Sequence, residues 1–409
     1  MENVKGTNEK DFISMKAVVI GASSESVYAI NKAKEMGLYV QVFDGDPSAP
    51  GLAIADESCV VDIKDPSAVF DILDKNPPNV VLPVPIGRVL TTAGAVNDRY
   101  GLKGVSYSSA LLCTDKYEFH QCLDSSGLRD AGIILVPSGE SGSIDCKLHY
   151  PVVVKPRFGS GSRGVEIFED SSALGKGFLD FLPFDEDYII ESCIPGKEYG
   201  VDGVFEGGFF TRILMREKRI TPAPYRQCTG YYSVKDNDEN LVFLHNADKL
   251  VSQAGRALGF KDNLIHADII RLKDDTAFLI EMSARPSGHN LYNLFTPLAS
   301  GIDEEEEFIK YTLGMHHSFI PSDIKRMMIG YFDMEDVRID AVPDEDYIKN
   351  KYPVTAYDCR LEKGMELGVI SDGRSLMNRG YFCIEALDRD ELDSYRQDII
   401  NEFQMVRIC

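Results

Sequence analysis

The sequence has 409 residues, of which 44% are hydrophobic and 26% charged, as in an ordinary globular protein. This length predicts two or three domains with a large buried core. The net charge of −22 argues against nucleic acid or an anionic membrane surface as partner, since both attract clustered Lys and Arg. A phosphate-bearing small ligand stays compatible, because it needs only local positive charge.

Nine cysteines are scattered without a C-x-x-C pair, and the N-terminal segment MENVKGTNEKDF lacks the apolar core of a signal peptide. Apolar runs stay well short of the about 18–20 residues that a transmembrane helix needs. We therefore expect a cytoplasmic protein with reduced thiols and no membrane partner.

The first part of the chain alternates predicted strands and helices. Lys16–Ile20 is predicted as a short buried strand, followed by a helix over about 26–36 and a strand over 38–43. Further short apolar segments predict additional strands with helices between them, at 60–61, 80–82 and 104–105. This alternation predicts a parallel, doubly wound sheet in a domain over 1–112.

The loop after the first strand, Gly21-Ala-Ser-Ser24, lacks the G-x-G-x-x-G pattern of dinucleotide-binding sites. A nicotinamide oxidoreductase is therefore disfavoured. The loop is either a structural turn or a helix N-terminus that binds an anionic substrate group.

A Gly/Ser-rich segment follows the apolar strand that ends at Lys155, and it reads Gly159-Ser-Gly-Ser-Arg-Gly164. Glycines permit close backbone approach, and successive N–H groups can surround phosphate oxygens. The Walker pattern is absent, because here the lysine precedes the loop. The segment is therefore either a phosphate-binding loop or a plain glycine-rich hairpin.

Two acids flank the next turn, Pro195-Gly196. A predicted strand ends at Glu191, and the chain resumes as a strand at Glu198. Such acids could accept hydrogen bonds from an adenine amine and a ribose diol, although this spacing alone has little specificity.

A predicted hairpin over 266–285 carries the most informative acids of the chain. If it is symmetric about the turn 273–276, Asp268 lies opposite Glu281, and His266 lies opposite Ser283. Facing carboxylates repel each other unless a cation lies between them. Mg²⁺ favours such oxygen ligands together with substrate phosphates. The alternative is an exposed hairpin with two unrelated acids.

Three further segments complete the prediction from residues alone. Asp115 has the position of an N-cap for a helix that begins at Lys116. The acidic run 303–307 is predicted as the solvated start of another helix. Residues 321–409 are predicted to form a small α+β unit.

Taken in order, these segments resemble the ATP-grasp superfamily, in particular its carboxylate–amine (amino-acid) ligase branch. That branch is related to the ATP-grasp domains of the carbamoyl-phosphate synthase large subunit and of biotin carboxylase. The resemblance covers about 16–315 and extends loosely to the C-terminal part. It implies a Rossmann-like pre-ATP-grasp domain at 1–112, an ATP-grasp domain at 113–320 with a mobile lid at about 120–192, and a C-terminal α+β closing subdomain at 321–409.

The resemblance implies sites for ATP and Mg²⁺, with Mn²⁺ as an alternative ion. Nucleotide contacts would come from Lys116, Lys155, Gly159, Ser160, Gly161, Ser162, Gly164, Glu191, Cys193, Ile194 and Glu198. Metal ligands would be Asp268, Glu281 and Ser283. Ser283 replaces the asparagine of the family's usual E-x-N-x-R, and His266 opposite it could orient a water ligand.

The same resemblance implies which residues meet the substrates. Arg285 and Lys155 would be catalytic and stabilise the transferring phosphate or acyl phosphate. Substrate contacts would come from a loop around residue 226 and from the turn after Arg285, namely Arg226, Ser287, Gly288, His289 and Asn290.

The implied activity is an ATP-dependent ligase that activates a carboxylate as an acyl phosphate and couples it to an amine, forming a C–N bond. Its partners would be small-molecule acids and amines, and its assembly a homodimer through the N-terminal domain. One alternative is a bicarbonate-using enzyme of the carboxylase or carbamoyl-phosphate type. Another is a non-catalytic ATP-binding protein, supported only by the serine at position 283.

Overall fold

The computed structural model describes residues 15–129, 131–139, 147–159, 164–175, 186–222, 226–237 and 239–408. Three predicted phosphate contacts, Ser160, Gly161 and Ser162, lie outside the described residues.

The N-terminal part forms the predicted parallel sheet. Its strands are β1 (Lys16–Ile20), β2 (Tyr39–Asp44), β3 (Glu57–Val60) and β4 (Val80–Val81), in the order β3-β2-β1-β4. Alternate residues of β1 pack on opposite sides, against α1 (Val27–Glu35) or against α2 (Pro66–Leu73) and α3 (Leu90–Tyr100). The doubly wound arrangement is therefore confirmed.

The strand predicted at 104–105 is wrong. The carbonyl of Val105 accepts a hydrogen bond from the Asn97 side chain at 3.0 Å instead of joining a strand. Val105 then leads directly into α4 (Tyr107–Thr114), so the predicted boundary at 112 falls inside a helix. Both α4 and α5 (Lys116–Ser125) contribute to the large central core.

A separate antiparallel sheet corresponds to the predicted lid region. Its strands are β5 (Ile133–Val136), β6 (Val152–Pro156), β7 (Glu166–Phe168) and β8 (Tyr188–Ser192), in the order β5-β8-β6-β7. They enclose a small core of their own, which includes Val152, Val154 and Ile190. The lid sheet therefore carries Lys155 and Glu191 on neighbouring strands.

The centre of the molecule is an eight-stranded sheet in the order β13-β12-β9-β10-β11-β14-β18-β16. Its strands are β9 (Lys197–Glu206), β10 (Phe209–Ile220), β11 (Cys228–Ser233), β12 (Asn263–Arg271), β13 (Ala277–Ser283), β14 (Met327–Tyr331), β16 (Val354–Cys359) and β18 (Gly380–Glu385). Helix α6 (Leu241–Ala257) covers part of one face.

The C-terminal part shares this sheet instead of forming a unit beside it. Gly230 of β11 pairs with Gly330 of β14, and a Cβ at Gly230 would lie only 2.7 Å from a backbone oxygen. A smaller sheet, β17-β15-β19, holds β15 (Val337–Ala341), β17 (Glu366–Leu367) and β19 (Gln404–Arg407). The remaining helices are α7 (Thr296–Ser300), α8 (Glu304–Thr312), α9 (Glu345–Lys351), α10 (Gly373–Met377) and α11 (Arg389–Asn401).

The acidic start of α8 differs from the predicted solvated face. Glu304 and Glu305 are completely buried, and burial raises their carboxyl pKa well above the usual range. The helix start faces the N-terminal domain, where Lys32 forms an ion pair with Asp303 at 2.9 Å. The expectation of a solvated acidic run is therefore wrong for these two residues.

Two global expectations can be compared with the described part of the chain. Within it, no helix has the length and apolarity to cross a membrane. Its cysteines are free thiols.

Candidate active site

A cavity of about 430 Å³ lies where the N-terminal domain, the lid sheet, the central sheet and the C-terminal part meet. Most of the described residues predicted for the site line it, namely Lys116, Lys155, Gly159, Glu191, Cys193, Ile194, Glu198, Arg226, Asp268, Glu281, Arg285, Ser287, Gly288 and His289. Gly164, Ser283 and Asn290 do not line it. The structure therefore gathers into one cavity residues that are far apart in sequence.

The hairpin formed by β12 and β13 has the register predicted from its sequence. Asp268 of β12 pairs with Glu281 of β13, and His266 pairs with Ser283. The two carboxylate-bearing residues thus lie opposite each other on adjacent strands.

The register results from two deviations that cancel. Arg271 pairs with Ala277, so the turn is one residue tighter than a turn symmetric about 273–276. A bulge at Ile280 then restores the pairing of Asp268 with Glu281. As bulges redirect side chains, both Ile280 and Glu281 line the cavity.

Asp268 has partners that the sequence did not reveal. Its Oδ2 lies 2.5 Å from Lys218 Nζ, and its Oδ1 lies 3.4 Å from His266 Nε2. Burial opposes ionisation of Asp268, but Lys218 and His266 outweigh it and hold the pKa well below the usual range. Lys218 lies on β10, two strands away from Asp268 on β12, with β9 between the two strands.

A buried polar network continues from this pair into the central sheet. Asp202 binds Arg216 Nη2 at 2.5 Å and the Thr296 hydroxyl at 2.9 Å, while His266 Nδ1 lies 3.4 Å from it. Burial lowers the pKa of His266, but Asp268 and Asp202 outweigh this and raise it. His266 therefore links the Asp268 carboxylate to the buried ion pair of Asp202 and Arg216.

Glu191 is surrounded by basic groups on the floor of the cavity. One oxygen contacts Lys155 Nζ, and the other lies 2.8 Å from Arg129 Nη2 and 3.2 Å from His120 Nε2. Burial disfavours the carboxylate, yet Lys155, His120 and Arg129 hold its pKa well below the usual range. Both oxygens are therefore engaged, and Lys155 is fixed at the cavity wall.

His120 gives this cluster a pH dependence. Burial lowers its pKa to about 4, assisted by the charges of Lys155 and Arg129 and opposed by Glu191. The contacts fit a neutral ring whose Nδ1 accepts from Arg129 and whose Nε2–H donates to Glu191. A neutral ring is thus the form that the fold requires.

We expect acidification to destabilise the protein through His120. Because the folded pKa of about 4 is below the unfolded value near 6.5, the unfolded state binds more protons between these values. The His120 contribution is fully present above pH 6.5 and is lost as the pH falls towards 4, at up to about 1.4 kcal/mol per pH unit. The free energy of unfolding, measured with denaturant at several pH values in this range, should depend less steeply on pH in His120→Gln than in the exposed control His316→Gln. An equal pH dependence of the unfolding free energy in the two variants would contradict the role assigned to His120.

Lys116 reaches the same cavity from the start of α5. Asp115 caps this helix by accepting the N–H of Tyr117 at 3.0 Å, and it also binds Arg157 Nη2 at 2.7 Å. Lys116 Nζ donates to the Gly159 carbonyl at 2.8 Å, at the edge of the glycine-rich segment. Burial lowers the pKa of Lys116, and Glu281 opposes that shift.

Arg226 and Glu198 form an ion pair across the cavity, with Nη2 and Oε1 2.8 Å apart. Arg226 has the unusual backbone φ of +46° for a residue with a side chain. The acid predicted for ribose and the arginine predicted for substrate are therefore direct neighbours.

The turn after β13 is held by an acid from the N-terminal domain. Glu25 Oε1 accepts the backbone N–H of His289 at 3.1 Å, and the Tyr292 hydroxyl donates to the Glu25 carbonyl at 2.7 Å. Arg285 Nη1 donates to the Pro286 carbonyl at 2.8 Å. Burial, assisted by Arg285, lowers the pKa of His289 to about 4. Glu25 was missed from sequence, although it directly follows the Gly21 loop.

Ser283, predicted as a metal ligand, has a different position from Asp268 and Glu281, which both line the cavity. It lies outside the cavity lining. Among the described residues, no three His, Cys, Asp or Glu side chains converge as a metal site. Glu281 faces the cavity beside Asp268, which matches Mg²⁺ bound by one or two carboxylates together with phosphates.

Ser283→Ala is therefore expected to retain activity within about 3-fold, a change of about 0.7 kcal/mol in transition-state free energy. His266→Ala should reduce activity much more, because it removes a partner of Asp268. Steady-state kinetics at several Mg²⁺ concentrations test this pair. A large loss in Ser283→Ala, with a raised Mg²⁺ requirement, would restore the metal role.

Residues 148–292 match the ATP-grasp domain family. The chain is 24% identical over 83% of its length to the carbamoyl phosphate synthase large chain of Micrococcus luteus, covering 32% of that protein. It is 23% identical over 49% of its length to an L-arginine-specific L-amino acid ligase of Bacillus subtilis, covering 49% of that protein. The chain thus spans about a third of the length of the first relative and about half of the length of the second.

Similarity to solved structures extends over nearly the whole fold. An L-amino acid ligase from Bacillus licheniformis superposes with a TM-score of 0.77 at 17% identity, covering 97% of this chain and 99% of the other. At this identity the match shows a common fold. The same fold therefore includes the N-terminal sheet and the C-terminal strands.

Proposed function

Because the chain contains an ATP-grasp domain, we propose that it is an ATP-dependent ligase that joins a carboxylate to an amine. The carboxylate becomes an acyl phosphate, and the products are an amide or peptide, ADP and phosphate. The observation that carries this proposal is the shared cavity, which brings Lys116 and Lys155 together with Glu281 and Arg285. These groups can hold phosphates, a divalent cation and a transferring group at one place.

The nucleotide would lie between the lid sheet and the central sheet. Lys116 and Lys155 would contact its phosphates, and Gly159 begins the glycine-rich segment beside them. Because both Glu191 oxygens are occupied, we assign Glu191 to holding Lys155, and adenine to the backbone groups of Cys193 and Ile194. Glu198 would hold the ribose after exchanging its contact with Arg226.

Glu281 and Asp268 would hold Mg²⁺, with Mn²⁺ as an alternative ion. When bound, the ion neutralises the β- and γ-phosphate oxygens. Glu281 faces the cavity, whereas Asp268 already pairs with Lys218. Glu281 is therefore the ligand on which binding depends most strongly.

In the proposed reaction a carboxylate oxygen attacks the γ-phosphorus, and the bond to the β–γ bridging oxygen breaks. The amine nitrogen then attacks the acyl carbon, phosphate leaves with the oxygen that came from the carboxylate, and the nitrogen loses a proton. Arg285 would stabilise the negative charge of both steps. Closure of the site against water would protect the acyl phosphate from hydrolysis.

A phosphate-release screen with ATP, Mg²⁺ and pairs of L-amino acids tests the proposal, with products identified by mass spectrometry. Release and a condensed product that both need an amine support it. Release that needs bicarbonate instead would favour the carboxylase-type alternative. Tight ATP binding without release for any acid would favour a non-catalytic nucleotide-binding protein.

Sedimentation tests the homodimer that the resemblance implies.

A further inference from the structure

The C-terminal part contributes one wall of the active-site cavity. Gly373 and Met377 of α10 both line it. Residues four apart lie on the same face of a helix, so α10 presents this face to the cavity. The nucleotide roles proposed above do not involve either residue.

This wall lies beside the turn that follows Arg285. A Cβ at Gly373 would lie 3.7 Å from His289 Cε1. Met377 packs against the hydrophobic cluster that includes Leu291 and Tyr231, and both of these residues also line the cavity. Leu291 and Tyr231 are almost completely buried, so half-buried Met377 supplies most of the apolar surface that adjoins the charged groups of the site.

We propose that Met377, Leu291 and Tyr231 form a pocket for an uncharged, apolar side chain of an amino-acid substrate, and that α10 sets its size. Ligand binding is favoured when the ligand removes the apolar surface of a cavity from water. The Met377 side chain is flexible and fills irregular gaps, so the pocket should accept several apolar side chains. The catalytic part of this inference rests on the proposed ligase function.

Two substitutions should change the size preference in opposite directions. Met377→Ala enlarges the pocket, and we expect it to shift the ratio of kcat/KM for phenylalanine over alanine upward by about 10-fold or more. Gly373→Ala adds a methyl group at ordinary contact distance from His289 and should shift the same ratio downward. Met365→Ala, at an exposed methionine of the same part of the chain, is the matched control and should leave the ratio unchanged.

Binding provides a readout that does not need turnover. Isothermal titration of leucine and aspartate into the protein loaded with ADP and Mg²⁺ should show leucine bound more tightly, and Met377→Ala should weaken leucine binding. Circular dichroism melting verifies that the variants fold. Preference for aspartate, or identical preferences in Met377→Ala and wild type, would overturn the inference. Leucine binding that depends on Met377 without phosphate release would support the pocket and overturn the ligase function.

Discussion

Replacing Glu281 with glutamine is expected to reduce amine-dependent phosphate release by about 100- to 1,000-fold, the usual effect of removing one preorganised electrostatic group. Glutamine keeps the size of the side chain but removes the charge that would balance Mg²⁺. Glu281 is exposed to the cavity, so its loss should leave the melting temperature nearly unchanged. Activity and stability should therefore separate in this variant.

Asp274→Asn is the matched control, because it removes an acid from the turn of the same hairpin, far along the strands from the cavity. It should retain wild-type turnover and Mg²⁺ dependence. Steady-state phosphate release across a Mg²⁺ titration compares the two variants. If Glu281→Gln turned over at the wild-type rate, the metal assignment on this hairpin would be wrong.

Replacing Lys155 with methionine is expected to affect both activity and stability. It removes a proposed phosphate contact, which should reduce kcat/KM by about 100-fold or more. It also leaves one oxygen of buried Glu191 without its lysine. Breaking a buried ion pair costs about 3–5 kcal/mol, and we expect the lower end because Arg129 remains 2.8 Å from Glu191.

A second variant separates the two effects of Lys155. Lys155→Met combined with Glu191→Gln removes both charges of the pair but leaves buried Arg129 without the Glu191 carboxylate, so it should recover only part of the lost unfolding free energy, as measured by urea denaturation. Turnover should stay low, because no cation replaces Lys155. Recovery of turnover in the double variant would mean that Lys155 only neutralises Glu191 and does not contact phosphate.

The main strands of the active-site hairpin could be predicted because its polar turn and its apolar pattern are local in sequence. The pairing of Asp268 with Glu281 was predicted correctly, but from a symmetric turn that the structure does not have. A tighter turn and a bulge at Ile280 compensate each other and give the same pairing. Neither the tighter turn nor the bulge can be read from the alternation of residues along the hairpin. Ser283 pairs with His266 as predicted, but it does not line the cavity.

Partners from distant segments could not be predicted. Lys218 reaches Asp268 from two strands away, and Arg129 reaches Glu191 from outside the lid sheet. Arg216 and Lys218 lie two residues apart on one strand, so both side chains are on the same face. This pattern was the available signal for the contact between Lys218 and Asp268. Glu304 is completely buried near Asp202 and Arg216 of the central sheet, whereas the acidic composition of its helix start indicated solvent.

We propose above that this cavity activates a carboxylate by phosphorylation. An amino-acid substrate labelled with ¹⁸O in its carboxylate tests it directly, with the released phosphate analysed by mass spectrometry in the presence of ATP, Mg²⁺ and the amine. Acyl phosphate formation predicts that one labelled oxygen passes from the carboxylate to phosphate, and that Glu281→Gln greatly reduces this transfer. Phosphate released without label would show that water, not the carboxylate, receives the phosphoryl group, and would contradict the claim.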